Sequence, residues 1–140
     1  MPSISPATTA PSLKLTDYFP CNGCSSCGAS AVLALPNNEM AIAASAFSYC
    51  GTLVWVLVPS TVTSIEAAAF EYCWSLISII ISTSVTTIGN GAFEMGTFYH
   101  SEGTALTSVT IPTSVTFIDA DAFSYCSSLT SISIPTSVNA

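Results

Sequence analysis

The chain has 140 residues, half of them hydrophobic and only 6% charged, with one Lys, no Arg and eight acidic residues for a formal net charge of -7. That length and apolar content suit one domain with a substantial core and exclude disorder throughout. Clustered basic side chains are what hold nucleic acid or an anionic membrane surface, so neither is expected as a partner, and the longest apolar run, Leu53 to Val58, stops at Pro59, far short of a membrane span.

Residues 1–16 read as a flexible leader, rich in Ser, Thr, Pro and Ala. The stretch has neither a positive leader nor an apolar core segment, so it does not read as a secretory signal. An intracellular location is the default for a whole protein, and the cell surface is the alternative if the chain is a fragment. Residues 17–29, which carry Tyr18 and Phe19, read as a Cys-rich N-terminal cap, in which Phe19-Pro20 is expected to fold over the open end of the repeats that begin at residue 30. Within it, Cys21-x-x-Cys24-x-x-Cys27 has the spacing that lets thiolates converge on a soft metal ion. The set is incomplete, because Ala29, Ser30 and Ala31 stand where a further cysteine is needed. The preferred reading is a loose cap, with or without a disulfide, and no metal or cofactor is expected.

From residue 30 to 140 the chain repeats itself. Phe47, Phe70, Phe93 and Phe123 are separated by 23, 23 and 30 residues. The same intervals separate Ile42, Ile65, Ile88 and Ile118, then Leu53, Leu76, Leu106 and Leu129, then Val62, Val85, Val115 and Val138. One such unit cannot bury its apolar face alone, so stacked copies must shelter one another. Within a unit, Leu-x-x-Val/Ile-x-Val/Ile-Pro alternates with period two, the pattern of a short half-buried strand ended by a residue that cannot donate to a ladder. One strand per unit is therefore expected. Crossovers of about 17 residues join successive strands, which forces them to run parallel. After the turn, Ile65-Glu66-Ala67-Ala68-Ala69-Phe70 favours a short helical turn, because Ala and Glu are good helix formers. Subtracting 23 places a degraded first unit with Leu33 to Pro36 under Val56 to Pro59, giving one partial and four full repeats. The 30-residue interval inserts seven residues, roughly Met95 to Gly103, which are expected to bulge from the coil. The last strand is left with an uncovered edge, a surface that invites self-association.

The run Ala-Phe-Ser-Tyr-Cys-Ser-Ser-Leu-Thr-Ser-Ile-Ser-Ile-Pro-Thr-Ser-Val at 122–138 resembles the BspA-like class of leucine-rich repeats. The resemblance covers about Ser30 to Val138 and rests on the recurring Ala-Phe, the Cys three residues after Phe, and the Ile-Pro turn. It implies an α/β leucine-rich repeat solenoid, with parallel strands on the concave face and short helical turns on the convex face. It also implies a non-enzymatic scaffold for protein-protein interaction or adhesion, often at the surface of bacteria and protists. A structural, self-associating repeat protein, or a piece of a longer surface protein, is the alternative.

Cys50, Cys73 and Cys126 share one position in the unit, with Gly96 holding it in the third copy, and are expected to form a column of buried thiols. His100 and Glu102 are the only pair suggesting acid-base chemistry, but no nucleophile motif accompanies them and no catalytic residue is expected. Asp119 and Asp121 are placed to interact with the amides that open a short helical turn. The outward strand positions carry more information. They read Val32 and Ala34, Trp55 and Leu57, Ser78 and Ile80, Ser108 and Thr110, Ser131 and Ser133. Trp55, Leu57 and Ile80 would adjoin one another as an aromatic-anchored patch suited to a protein partner. Phe98 and Tyr99, on the inserted loop, are added to that candidate surface. Covering of the patch by Tyr18 and Phe19 and mere sequence drift are the competing readings.

Overall fold

The computed structural model of the protein describes residues 39–96 and 105–139, together with the backbone of residues 30–32. The leader, the expected cap, and Phe98, Tyr99, His100 and Glu102 lie outside the described residues.

Among the described residues, nine short strands form two parallel sheets. The five-stranded sheet takes β1 (Ser30–Val32), β3 (Trp55–Leu57), β5 (Ser78–Ile80), β7 (Ser108–Thr110) and β9 (Ser131–Ser133), in that order. The four-stranded sheet takes β2 (Ala41–Ile42), β4 (Ser64–Ile65), β6 (Thr87–Ile88) and β8 (Phe117–Ile118). Each coil contributes one strand to each sheet, so the expectation of one strand per unit is corrected to two. The second strand forms because the chain stays extended past the proline turn through β-branched Thr63, Thr86 and Thr116. Their amides donate to Met40, Thr63 and Thr86 carbonyls of the preceding coil at 2.7, 2.8 and 2.9 Å.

The interior is a set of columns running along the solenoid. Phe47, Phe70, Phe93 and Phe123 stack with ring centroids 5.3, 5.4 and 5.3 Å apart and nearly parallel planes. The Ile, Leu and Val ladders flank them, fully buried in the inner coils and half-buried at Ile118, Leu129 and Val138 in the last.

Among the described residues, the segment between the second strand and the Phe column forms turns and no helix, so the expected helical turn is not confirmed. Ser45, Ala68, Gly91 and Asp121 occupy one register position, and all have left-handed φ, between 55° and 59°. Tyr49, Tyr72 and Tyr125 do the same four residues on. A left-handed residue breaks the run of helical dihedrals and turns alternate amides along the solenoid axis. Phe47, Phe70 and Phe93 N–H groups accordingly donate to Ala69, Ala92 and Ala122 carbonyls of the next coil at 2.9, 2.8 and 2.8 Å. The amides between them keep short bonds within the coil, as Ala69 and Glu71 N–H groups do to the Glu66 and Ala68 carbonyls at 3.3 and 3.1 Å, so the segment is a run of single turns and the preference of Ala and Glu for a continuous helix is overridden. Gly89 marks the tightest approach between coils here, since a Cβ on it would lie 2.7 Å from the Ala67 amide nitrogen.

Two registers differ from expectation. Ala31, not Leu33, lies beside Val56, so the first strand is shifted by two residues relative to a strict 23-residue subtraction. Met95 and Gly96 are buried in the coil and do not belong to the bulge. Met95 takes the position held elsewhere by Tyr49, Tyr72 and Tyr125, and its N–H still donates to the Ser124 carbonyl at 3.1 Å.

Candidate functional site

The candidate surface is the outer face of the five-stranded sheet. Alternation fixes which side chains reach it: Val56, Ile79 and Val109 point into the core, so the residues on either side of each point out. Strand register then sets two outward columns, Trp55-Ser78-Ser108-Ser131 and Leu57-Ile80-Thr110-Ser133. Leu57 and Ile80 are direct register partners and remain 37% and 49% exposed, with Trp55 half-buried two residues away on the same strand. The structure thus places the three strand residues together on one face, while Phe98 and Tyr99 lie outside the described residues.

The face changes character along its length. Its Trp55, Leu57 and Ile80 end is apolar, and its β7 and β9 end presents Ser108, Thr110, Ser131 and Ser133, all exposed. No titratable side chain stands on β3, β5, β7 or β9. Contacts to it must therefore come from apolar area and neutral hydrogen bonds rather than from ion pairing.

Two further exposed apolar side chains were not singled out from the sequence. Ile77, just before β5, is 37% exposed, and Trp74 is 48% exposed. Trp74 lies directly over Gly51, where an added Cβ would overlap the indole. The signal was readable, because Gly51 and Trp74 stand 23 residues apart at the same point of the unit. A glycine at that register makes room for a large ring on the next coil.

Two columns of hydroxylated residues elsewhere have structural partners. Ser84, Ser114 and Ser137 donate to the Val62, Val85 and Val115 carbonyls of the preceding coil at 2.6, 2.7 and 2.7 Å. Thr63, Thr86 and Thr116 hydroxyls form a second such column on Met40, Thr63 and Thr86 carbonyls. Among the described residues no buried side-chain oxygen or nitrogen lacks a partner.

The cysteine column is split. Cys73 and Cys126 are free thiols that donate to the Phe47 and Phe93 carbonyls at 3.1 and 3.2 Å. Burial pushes both up to about 12, which leaves them protonated and inert at neutral pH. Cys50 is disulfide-bonded, which corrects the expectation of thiols throughout. Its partner is neither Cys73 nor Cys126, and Cys21, Cys24 and Cys27 lie outside the described residues.

The acidic residues act locally. Asp119 Oδ1 accepts from the Ala120 amide at 2.7 Å, and Asp121 Oδ1 accepts from the Ser124 hydroxyl at 2.9 Å, in a turn rather than at a helix start. Glu71 accepts from the Ser48 hydroxyl of the preceding coil at 3.2 Å. Glu94 is held above the usual carboxylate range by partial burial, then by Glu71 and Asp121 nearby.

A family model described as the BspA type leucine rich repeat region matches residues 19–140 in six copies. No curated protein matches the chain. Three solved structures are similar over most of it. A leucine rich cell surface protein from Faecalibacterium prausnitzii is 34% identical with a TM-score of 0.65, over 76% of this chain and 26% of that one. The T. pallidum leucine rich repeat protein is 26% identical with a TM-score of 0.55, over 77% of this chain and 59% of that one. A leucine-rich repeat protein from Bacteroides capillosus is 32% identical with a TM-score of 0.55, over 66% of this chain and 61% of that one. The chain spans less than two thirds of the length of each.

Proposed function

Because the chain belongs to the BspA-type leucine-rich repeat family, we propose that it is a non-enzymatic scaffold that binds a protein partner through the outer face of the five-stranded sheet. The observation that carries this reading is the pairing of exposed Leu57 with exposed Ile80 beside half-buried Trp55 on one regular sheet face. A partner covering them removes apolar area from water, at about 25 cal/mol per Å². Trp55 is the anchor, since aromatic side chains at the centre of a patch carry a disproportionate share of binding energy. The hydroxylated half of the face supplies Ser and Thr groups for orientation at little desolvation cost. The similarity to a cell surface protein supports a role in adhesion, and Phe98 and Tyr99 extend the proposed contact surface from the inserted loop.

The test is capture on immobilised chain, wild type beside Trp55→Ser and Leu57→Ser, with circular dichroism confirming that each variant folds. The captured protein is identified by mass spectrometry and then titrated in purified form. Loss of binding in both variants at unchanged fold supports the reading, and undiminished binding removes it. Because no titratable side chain stands on β3, β5, β7 or β9, binding through these strands is also expected to survive high salt.

A further inference from the structure

A second aromatic surface lies outside both sheets. Tyr49, Tyr72 and Tyr125 share one register position, two residues after the Phe column, and hold left-handed φ of 63°, 58° and 58°. Glycine or asparagine takes that conformation at lower cost than a bulky side chain. Burial does not account for tyrosine there, since Tyr49 is 63% and Tyr125 47% exposed. The Tyr49 and Tyr72 rings lie against each other with centroids 4.7 Å apart, so the column offers ring surface from more than one coil.

Carboxylates stand beside these rings. Glu71 immediately precedes Tyr72, and the Tyr72 amide donates to the Glu94 carbonyl of the next coil at 2.7 Å, which brings Glu94 alongside. Partial burial, then Glu71, Glu94, Tyr49 and Tyr125, push the Tyr72 phenol up, so both carboxylates and both neighbouring phenols are within electrostatic reach of one ring. Asp121 acts on Glu94 in turn. The polar partners of these carboxylates are neutral: Glu71 accepts from the Ser48 hydroxyl at 3.2 Å and Asp121 from the Ser124 hydroxyl at 2.9 Å. Among the described residues there is no Lys or Arg to answer the three negative charges.

We propose that this tyrosine-carboxylate column is a second interaction surface, one that takes an arginine-bearing segment of a protein partner. A guanidinium group satisfies both halves of it, because its plane lies on the face of a tyrosine ring while its N–H groups donate to a carboxylate. Arginine suits the column better than lysine, whose compact ammonium is more strongly hydrated and cannot stack. A neutral ligand that stacks on tyrosine, such as a glycan, leaves the carboxylates repelling one another. This contact is electrostatic and so weakens as salt rises, which separates it from binding at Trp55.

The test is calorimetric titration of the intact chain with a short oligoarginine peptide, an oligolysine peptide of equal length and a neutral oligosaccharide. Oligoarginine is expected to bind at low salt, more tightly than oligolysine, and to be released by high salt, with no binding of the oligosaccharide. Tyr72→Asn, which suits the left-handed backbone, should weaken oligoarginine by about tenfold, the worth of one cation–π contact. Glu71→Gln should weaken it too. Glu39→Gln, which removes the same charge at an exposed position before β2, and Trp55→Ser should leave it unchanged. In the wild type, where no variant can confound the reading, the Tyr49 and Tyr72 ring proton resonances should shift as the peptide is added. No binding at low salt overturns the proposal. So does equal affinity for oligolysine, preference for the oligosaccharide, full affinity in Tyr72→Asn, equal losses from Glu39→Gln and Glu71→Gln, or unmoved ring resonances.

Discussion

Replacing Phe70 with Ala tests the physical basis of the solenoid most directly. The ring is fully buried and stacked on both faces, against Phe47 at 5.3 Å and Phe93 at 5.4 Å. Core Phe→Ala changes cost about 3–5 kcal/mol, and a stacked ring pair adds roughly 0.5–1.5 kcal/mol beyond area. With two such pairs and little room for collapse between flanking coils, Phe70→Ala should fall near the upper end, about 4–5 kcal/mol. Phe123 has one stacked neighbour, at 5.3 Å, and is only partly buried. Phe123→Ala should therefore cost about half as much, roughly 2 kcal/mol. Urea unfolding followed by far-UV circular dichroism measures both, with unchanged slope as the check that the same cooperative unit is melting. Equal losses from the two variants, or a loss below about 1.5 kcal/mol for Phe70→Ala, would refute the claim that neighbouring coils supply the burial that holds each one.

Ser114→Ala strands the Val85 carbonyl, which now receives a 2.7 Å hydrogen bond, and should lower stability by about 1 kcal/mol in the same urea assay. Cys73 and Cys126, pushed up to about 12 by burial, hold only about one thiolate in ten thousand at pH 8. Native protein should thus resist a thiol-specific reagent at both positions and react fully in denaturant, with Cys126 first to yield because its coil is the less enclosed. Glu94 is raised above its ordinary 4.5 by partial burial, Glu71 and Asp121, so the folded state binds its proton more tightly than the unfolded state. That contribution is fully present below the unfolded value and is lost as pH rises through the folded one. Glu94→Gln should accordingly flatten the fall of stability with rising pH above 4.5 and raise the melting temperature at neutral pH.

The ladders of Phe, Ile, Leu and Val at one shared spacing determined by themselves that coils stack, that strands run parallel, and which residues fill the interior. A repeated apolar residue has one place to hide, and every copy must use it. Alternation around Val56 and Ile79 likewise assigned Trp55, Leu57 and Ile80 to the outer face without reference to any neighbouring coil. The second sheet and the missing helix were decided only by tertiary structure. Ala67, Ala68 and Ala69 favour a helix in isolation, but the neighbouring coils offer carbonyls to alternate amides, and left-handed residues such as Ala68 and Tyr72 aim those amides at them. The shifted first strand and the inward turn of Met95 belong to the same class, since which carbonyl lies alongside depends on the coil next door. Local sequence states what each coil can bury. Only the stack determines where its hydrogen bonds go.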